Sequence, residues 1–138
     1  MLKHFKRNLH IDQKMEKVKT LYELIGDNRL QELINSFYAK VFVNPVLSPL
    51  FNQTDAESIK DKQYCFLTQF LGGPPRYIEK YGPPKMRRRH MPHAITNEAK
   101  DEWLSLMNAS IQELDLADNL KEALYNCFPQ VAQHMVNS

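Results

Sequence analysis

Residues 86–96, MRRRHMPHAIT, put three arginines, two histidines and one proline into eleven positions. The basic run from about Pro84 to His90 is long enough for a short helix only, because Pro92 cannot continue one. That helix is amphipathic only if Met86 and His90, four residues apart, turn inward together. A histidine held that way, with Pro92 fixing the direction of the chain just behind it, suits an axial metal ligand. His90 and His93 also form an HxxH pair. Pro92 disfavours a continuous turn between them, however, and no nearby carboxylate or cysteine completes a zinc set. Lys85 with Arg87, Arg88 and Arg89 could touch phosphates, yet one short basic patch is weak evidence for a nucleic acid partner.

A second set of residues interrupts faces that packing alone would fill with leucine. Tyr38 lies one turn after Ile34, Gln63 lies one turn from both Ile59 and Leu67, and Trp103 is the only tryptophan. Each carries a hydrogen-bond donor: a phenol, an amide and an indole N–H. A buried donor without a partner costs roughly 1–3 kcal/mol, so three on inward faces ask for acceptors. Each could bond a backbone carbonyl of its own, or all three could face one polar ligand. A histidine opposite a pocket of donors suits haem iron in particular, and the arginines before it would then pair with the two haem propionates.

Helices must position these groups, and the chain reads as helical almost throughout. From about Asp12 to Ile25, apolar residues recur at helical spacing and Gly26 supplies a stop. Asp27 is placed to cap a second helix carrying Leu30, Leu33, Ile34, Phe37, Tyr38, Val41 and Phe42. Pro45 and Pro49 confine the following stretch to a short turn ending at Phe51. Thr54-Asp55-Ala56-Glu57 reads as a capping box opening a third helix, which Gly72-Gly73 ends. GGPPRYIEKYGPP should be a loop with at most one turn of helix. Thr96 caps a long helix through Trp103, Met107 and Ile111, and a last helix from about Leu120 to Met135 must kink or break at Pro129. No repeat and no alternating strand pattern is present. The expected fold is all-α, a single domain of 19–138 behind an N-terminal arm of 1–18.

Bulk properties exclude more than they assign. The chain has 138 residues, 43% of them hydrophobic and 25% charged, with 18 basic against 16 acidic side chains and a formal charge of +2. That length can bury a core without crosslinks, and the balance demands neither nucleic acid nor an anionic membrane. Cys65 and Cys127 sit within apolar patterns and read as free buried thiols, which suits a reducing cytoplasm. No apolar stretch approaches a bilayer span. MLKHFKRNLH is basic but has no apolar run after it, so it is not expected to act as a secretory signal; Leu2, Phe5 and Leu9 could line one side of a short helix.

Taken in order, SFYAKV at 36–41, PLF at 49–51, KQYCFLTQFLGGPP at 62–75, YGPPKMRRRHMPHAIT at 81–96 and the tryptophan of DEWLSLM resemble a group II truncated haemoglobin. HMVN near the C-terminus adds a weaker match, and the likeness spans roughly residues 25 to 137. It implies a truncated two-over-two globin sandwich around one haem b. By this resemblance His90 is the proximal iron ligand. Tyr38, Gln63 and Trp103 match the distal hydrogen-bonding positions, and Ile59 occupies the distal gate, where relatives often carry a small residue. Phe51 corresponds to the phenylalanine that packs on the haem face. Lys62, Tyr77 and Arg89 match propionate-holding positions, and Phe66, Leu67, Met86, Ile95 and Met107 match apolar haem contacts. His93 stands where a phenylalanine after Pro92 is usual, and Pro129 falls within the final helix.

Such a site binds dioxygen, carbon monoxide and nitric oxide. Two donors on the negative outer atom of dioxygen would slow its escape by about 10² or more, which favours retention over delivery. The same donors would polarise an O–O bond, so peroxidase or nitric oxide dioxygenase activity is compatible with the site, and an unidentified reductase would then be a partner. A haem-free helical interaction module using the 85–89 patch is the rival reading. Monomer and homodimer are both compatible with the sequence.

Overall fold

A computed structural model describes residues 19–85 and 93–137, and among these no strand occurs. The described residues form seven α-helices and one 3₁₀ turn, in order α1 (Leu21–Ile25), α2 (Asp27–Val41), the 3₁₀ turn (Ser48–Phe51), α3 (Ala56–Phe70), α4 (Arg76–Tyr81), α5 (Asn97–Gln112), α6 (Asp118–Tyr125) and α7 (Pro129–Met135). α2 packs on α3, α5 packs on α6 and α7, and α2 crosses α5 to join the two halves. This is the expected all-α two-over-two arrangement. No helix among the described residues is long and apolar enough to cross a membrane.

Local chemistry accounts for the helix ends and corrects several expectations. A helix running unbroken from Asp12 to Ile25 does not hold, because Thr20 is extended and caps α1. Its hydroxyl accepts from the Glu23 N–H at 3.2 Å, and the Glu23 carboxylate accepts from the Thr20 N–H at 3.0 Å. Gly26, at φ +85°, both ends α1 and precedes α2. Asp27 is therefore the first residue of α2 rather than its cap. The third helix has no Thr54–Glu57 box; Asp55 caps it, accepting from the Ser58 N–H at 2.9 Å. The glycine- and proline-rich segment holds a six-residue helix, somewhat more than the single turn expected. Thr96 caps α5 through the Ala99 N–H at 3.0 Å. Pro129 breaks the last helix outright: α6 ends at Tyr125, and Pro129 opens α7, where its missing N–H has no helical partner to lose.

The core is the inward stripe of α2 (Leu30, Leu33, Ile34, Phe37, Tyr38, Val41) against Leu67, Met107, Ile111 and Leu124. Each large apolar side chain buried there contributes about 1.5–3 kcal/mol relative to exposure. The buried hydroxyls of Thr68 and Ser110 donate back to the carbonyls of Tyr64 and Leu106 at 2.8 Å. Neither cysteine is in a disulfide; Cys65 is buried and Cys127 half-buried.

A polar knot pins α3 from behind. Asp27 Oδ1 accepts from the Tyr22 phenol at 2.6 Å and the Tyr64 phenol at 2.9 Å. The Arg76 guanidinium sits on both phenol oxygens, at 3.2 and 2.9 Å, and 3.5 Å from the carboxylate. Gly72 and Gly73 let the chain come this close. A Cβ on Gly73 would lie 2.6 Å from the Tyr22 ring and 2.8 Å from the Thr68 carbonyl, and one on Gly72 (φ +94°) would meet Thr20 at 2.8 Å.

Candidate functional site

A cavity of about 450 Å³ opens between the two helical layers, within the usual range for small-molecule and cofactor sites. α3 gives it Ile59, Gln63, Phe66 and Phe70, spaced to fall on one face, while Tyr64 and Thr68 of the polar knot point the opposite way. Phe51 enters from the 3₁₀ turn, Trp103 from α5, and Val131 and Met135 from α7. The 3₁₀ turn is held by Asn44. Its side-chain oxygen accepts from the N–H groups of Val46 and Leu47 at 2.9 and 3.0 Å, and its amide donates to Glu102 of α5 at 2.8 Å.

The walls are mostly aromatic and apolar. Tyr38 contacts Phe37, Phe42 and Phe51 with ring centroids 5.0, 5.8 and 6.1 Å away. Trp103 stands edge-on to Phe37 at 5.1 Å and to Phe128 at 5.7 Å. These contacts fix the rings, so the polar ends of both side chains are held rather than free to swing.

Three residues that line this apolar space carry donors: the Tyr38 hydroxyl, the Gln63 amide and the Trp103 indole N–H. None makes a hydrogen bond with a described residue, whereas every fully enclosed side-chain polar atom among the described residues has a partner. The difference is that these three open onto the cavity. Burial raises the pKa of the Tyr38 phenol well above that of an ordinary tyrosine, so it stays protonated and able to donate at neutral pH.

Cationic and ionisable groups also line the cavity. Lys62 is exposed, its Nζ 5.7 Å from the centre of the Tyr81 ring. Lys100 is held by Gln133 at 2.7 Å and Asp101 at 3.3 Å, and His93 is exposed. Tyr77 is buried and packs edge-on to Phe66 at 6.0 Å.

Of the residues singled out in sequence, the cavity brings together Tyr38, Phe51, Ile59, Lys62, Gln63, Phe66, Tyr77, Ile95 and Trp103. Leu67 and Met107 do not line it; both are fully buried in the core beside it. Met86, Arg89 and His90 lie outside the described residues. Phe70, Lys100, Phe128, Val131 and Met135 line the cavity without having been expected there. The apolar ones had shown only helical periodicity, which marks an inward face but not what it faces. A flat apolar group with anionic edges fits what is present: aromatic walls, two lysines and unpartnered donors.

The profile of the bacterial-like globins matches residues 20–137. A group 2 truncated hemoglobin of Bacillus subtilis is 43% identical over 116 residues, 84% of this chain and 87% of that protein. Among solved structures, the group II truncated hemoglobin from Bacillus anthracis superposes with a TM-score of 0.83 at 36% identity, covering 88% of this chain and 93% of that one. A Bacillus subtilis structure described as a truncated oxygen-avid haemoglobin gives 0.81 at 42% identity, covering 86% and 100%.

Proposed function

The chain belongs to the bacterial-like globin family, among the group II truncated haemoglobins, and from that premise we propose that it is a haem b protein that holds dioxygen tightly. One observation carries the reading: three side chains with hydrogen-bond donors, none bonded to a described residue, line one aromatic cavity of cofactor size. Bound there, haem would supply an iron able to take up dioxygen, carbon monoxide or nitric oxide.

This chain's residues do the rest. His90 is the proximal ligand in this reading. His93, three positions further on, lines the cavity, and three residues of chain reach at most about 11 Å. Lys62 pairs with a propionate, with Tyr77 beside it and Arg89 as a second cation. Phe51, Phe66 and Ile95 would hold the haem by apolar contact and exclude water. Tyr38, Gln63 and Trp103 would donate to a diatomic ligand that gathers negative charge. Hydrogen bonds to a charged acceptor are worth about 1.5–3 kcal/mol each, so together they favour retention. The oxygen avidity of the Bacillus subtilis relative agrees with that expectation. Ile59 narrows the distal approach.

Absorption spectra of the purified protein test the reading, as isolated, reduced, and reduced under carbon monoxide, beside His90→Ala. The expected result is a Soret band that shifts with carbon monoxide in the wild type and is weakened or displaced in the variant. A wild type with no Soret band after haem is supplied overturns the assignment. A spectrum unaltered by the mutation overturns His90 alone.

A further inference from the structure

Next to the cavity, on the flank of α3, lies a second group of side chains that diatomic binding does not use. Tyr77 lines the cavity, and its ring centroid is 5.2 Å from that of Tyr81. Tyr81 is half-buried, and its phenol donates a short hydrogen bond to the Asp61 carboxylate. Lys80 holds the same carboxylate oxygen at 2.7 Å. The ammonium groups of Lys62 and Lys80 lie 5.7 and 5.6 Å from the centre of the Tyr81 ring.

We propose that Tyr81 is an electron-entry site for small phenols, with Tyr77 as the relay to the cavity and Asp61 as the acceptor of the phenolic proton. This rests on the haem reading above. A tyrosine gives up an electron at modest potential only if its proton can leave at the same time, and a hydrogen-bonded carboxylate provides for that. The lysine from Lys80 holds Asp61 ionised, with its carboxyl below the usual range. The two flanking ammonium groups disfavour a cationic ring and so favour loss of the proton with the electron.

No other tyrosine described here joins these features. Tyr38 lines the cavity, but no described carboxylate bonds its hydroxyl. Tyr22 and Tyr64 donate to Asp27, but neither lines the cavity and Arg76 sits on both phenol oxygens.

Hydrogen peroxide is the oxidant. Its O–O bond breaks on taking up two electrons and two protons, and two waters leave. Tyr81 supplies an electron through the Tyr77 ring and passes its proton to Asp61 and on to water, leaving a neutral phenoxyl radical. A phenol at the surface gives the radical a hydrogen atom and restores Tyr81. Two such cycles balance the reaction, H2O2 + 2 ArOH → 2 H2O + 2 ArO•.

The test uses full-length, haem-loaded protein whose Soret band and carbon monoxide shift are recorded first. Hydrogen peroxide is then added with a nitroso spin trap, the adduct is mapped by peptide mass spectrometry, and ferulate oxidation is followed in parallel. Wild type should carry the adduct on Tyr81. Tyr81→Phe should lose it together with most ferulate oxidation, with the carbon monoxide spectrum unchanged. Asp61→Asn should slow adduct formation by about 10² or more. An adduct on another residue, no protein adduct at all, or wild-type ferulate turnover in Tyr81→Phe would overturn the proposal and leave the haem reading standing. A missing Soret band would remove both.

Discussion

Replacing Tyr38 by phenylalanine removes one oxygen atom and leaves its packing in place. The ring keeps its neighbours Phe37, Phe42 and Phe51 at 5.0, 5.8 and 6.1 Å. What disappears is a donor that burial keeps protonated and that no described residue engages. If its acceptor is bound dioxygen, the loss is one hydrogen bond to a charged atom, about 1.5–3 kcal/mol. Carried wholly by dissociation, that is an off-rate faster by roughly 10- to 150-fold. Stopped-flow displacement of oxygen by carbon monoxide measures it directly. Dissociation of carbon monoxide itself, which gathers little charge on its outer atom, should change far less. A second arm concerns the haem-free protein: a hydroxyl that opens onto the cavity and bonds no described residue adds no stability there, so the variant should melt no lower than wild type. Unchanged oxygen off-rates with an intact Soret band would refute the argument. A lower haem-free melting temperature would show that the hydroxyl has a structural partner after all.

Gly73→Ala forces a methyl against the Tyr22 ring and the Thr68 carbonyl, and such overpacking costs about 1–3 kcal/mol, which thermal melts should register as a loss of several degrees. The Asp27 carboxyl is held below its ordinary value of 3.8, chiefly by the Tyr22 phenol and then by Tyr64 and Arg76. Its contribution to stability is therefore complete above about pH 3.8 and fades as pH falls through the lower folded value. Asp27→Asn should flatten the acid limb of the stability curve in denaturant titrations; an unchanged limb would show that the knot contributes nothing there.

Helical spacing alone was enough to mark Tyr38, Gln63 and Trp103 as polar groups on inward faces, and the cavity receives all three. It could not divide inward positions between cavity and core. Leu67 lies one step around α3 from Phe66 and Met107 one turn along α5 from Trp103, yet both pack into the centre of the fold. Phe128 and Met135 show the converse: a stripe that reads as core forms part of the cavity wall. Asp27 was legible as an acidic residue beside a helix start, where a cap is the commonest use. Its real partners, Tyr64 and Arg76, lie 37 and 49 positions along the chain, beyond any local pattern. The two glycines read as a helix stop, whereas their tight spacing against Thr20 and Tyr22 depends on segments some fifty residues apart coming together.

The knot at Asp27 has a consequence for how affinity could drift over evolutionary time. One carboxylate oxygen ties the back of α3, through Tyr64, to the start of α2, and Arg76 ties in α4. Any roll of α3 about its axis would pull Tyr64 off that oxygen before it carried Gln63 away from the cavity. The position of the cavity-lining Gln63 amide is thus set by groups that do not themselves line the cavity. If Gln63 engages a bound diatomic as proposed, substitutions at Tyr22, Asp27, Tyr64 or Arg76 would retune gas affinity while every residue lining the cavity stayed the same. Comparisons of relatives confined to the cavity lining would overlook the change.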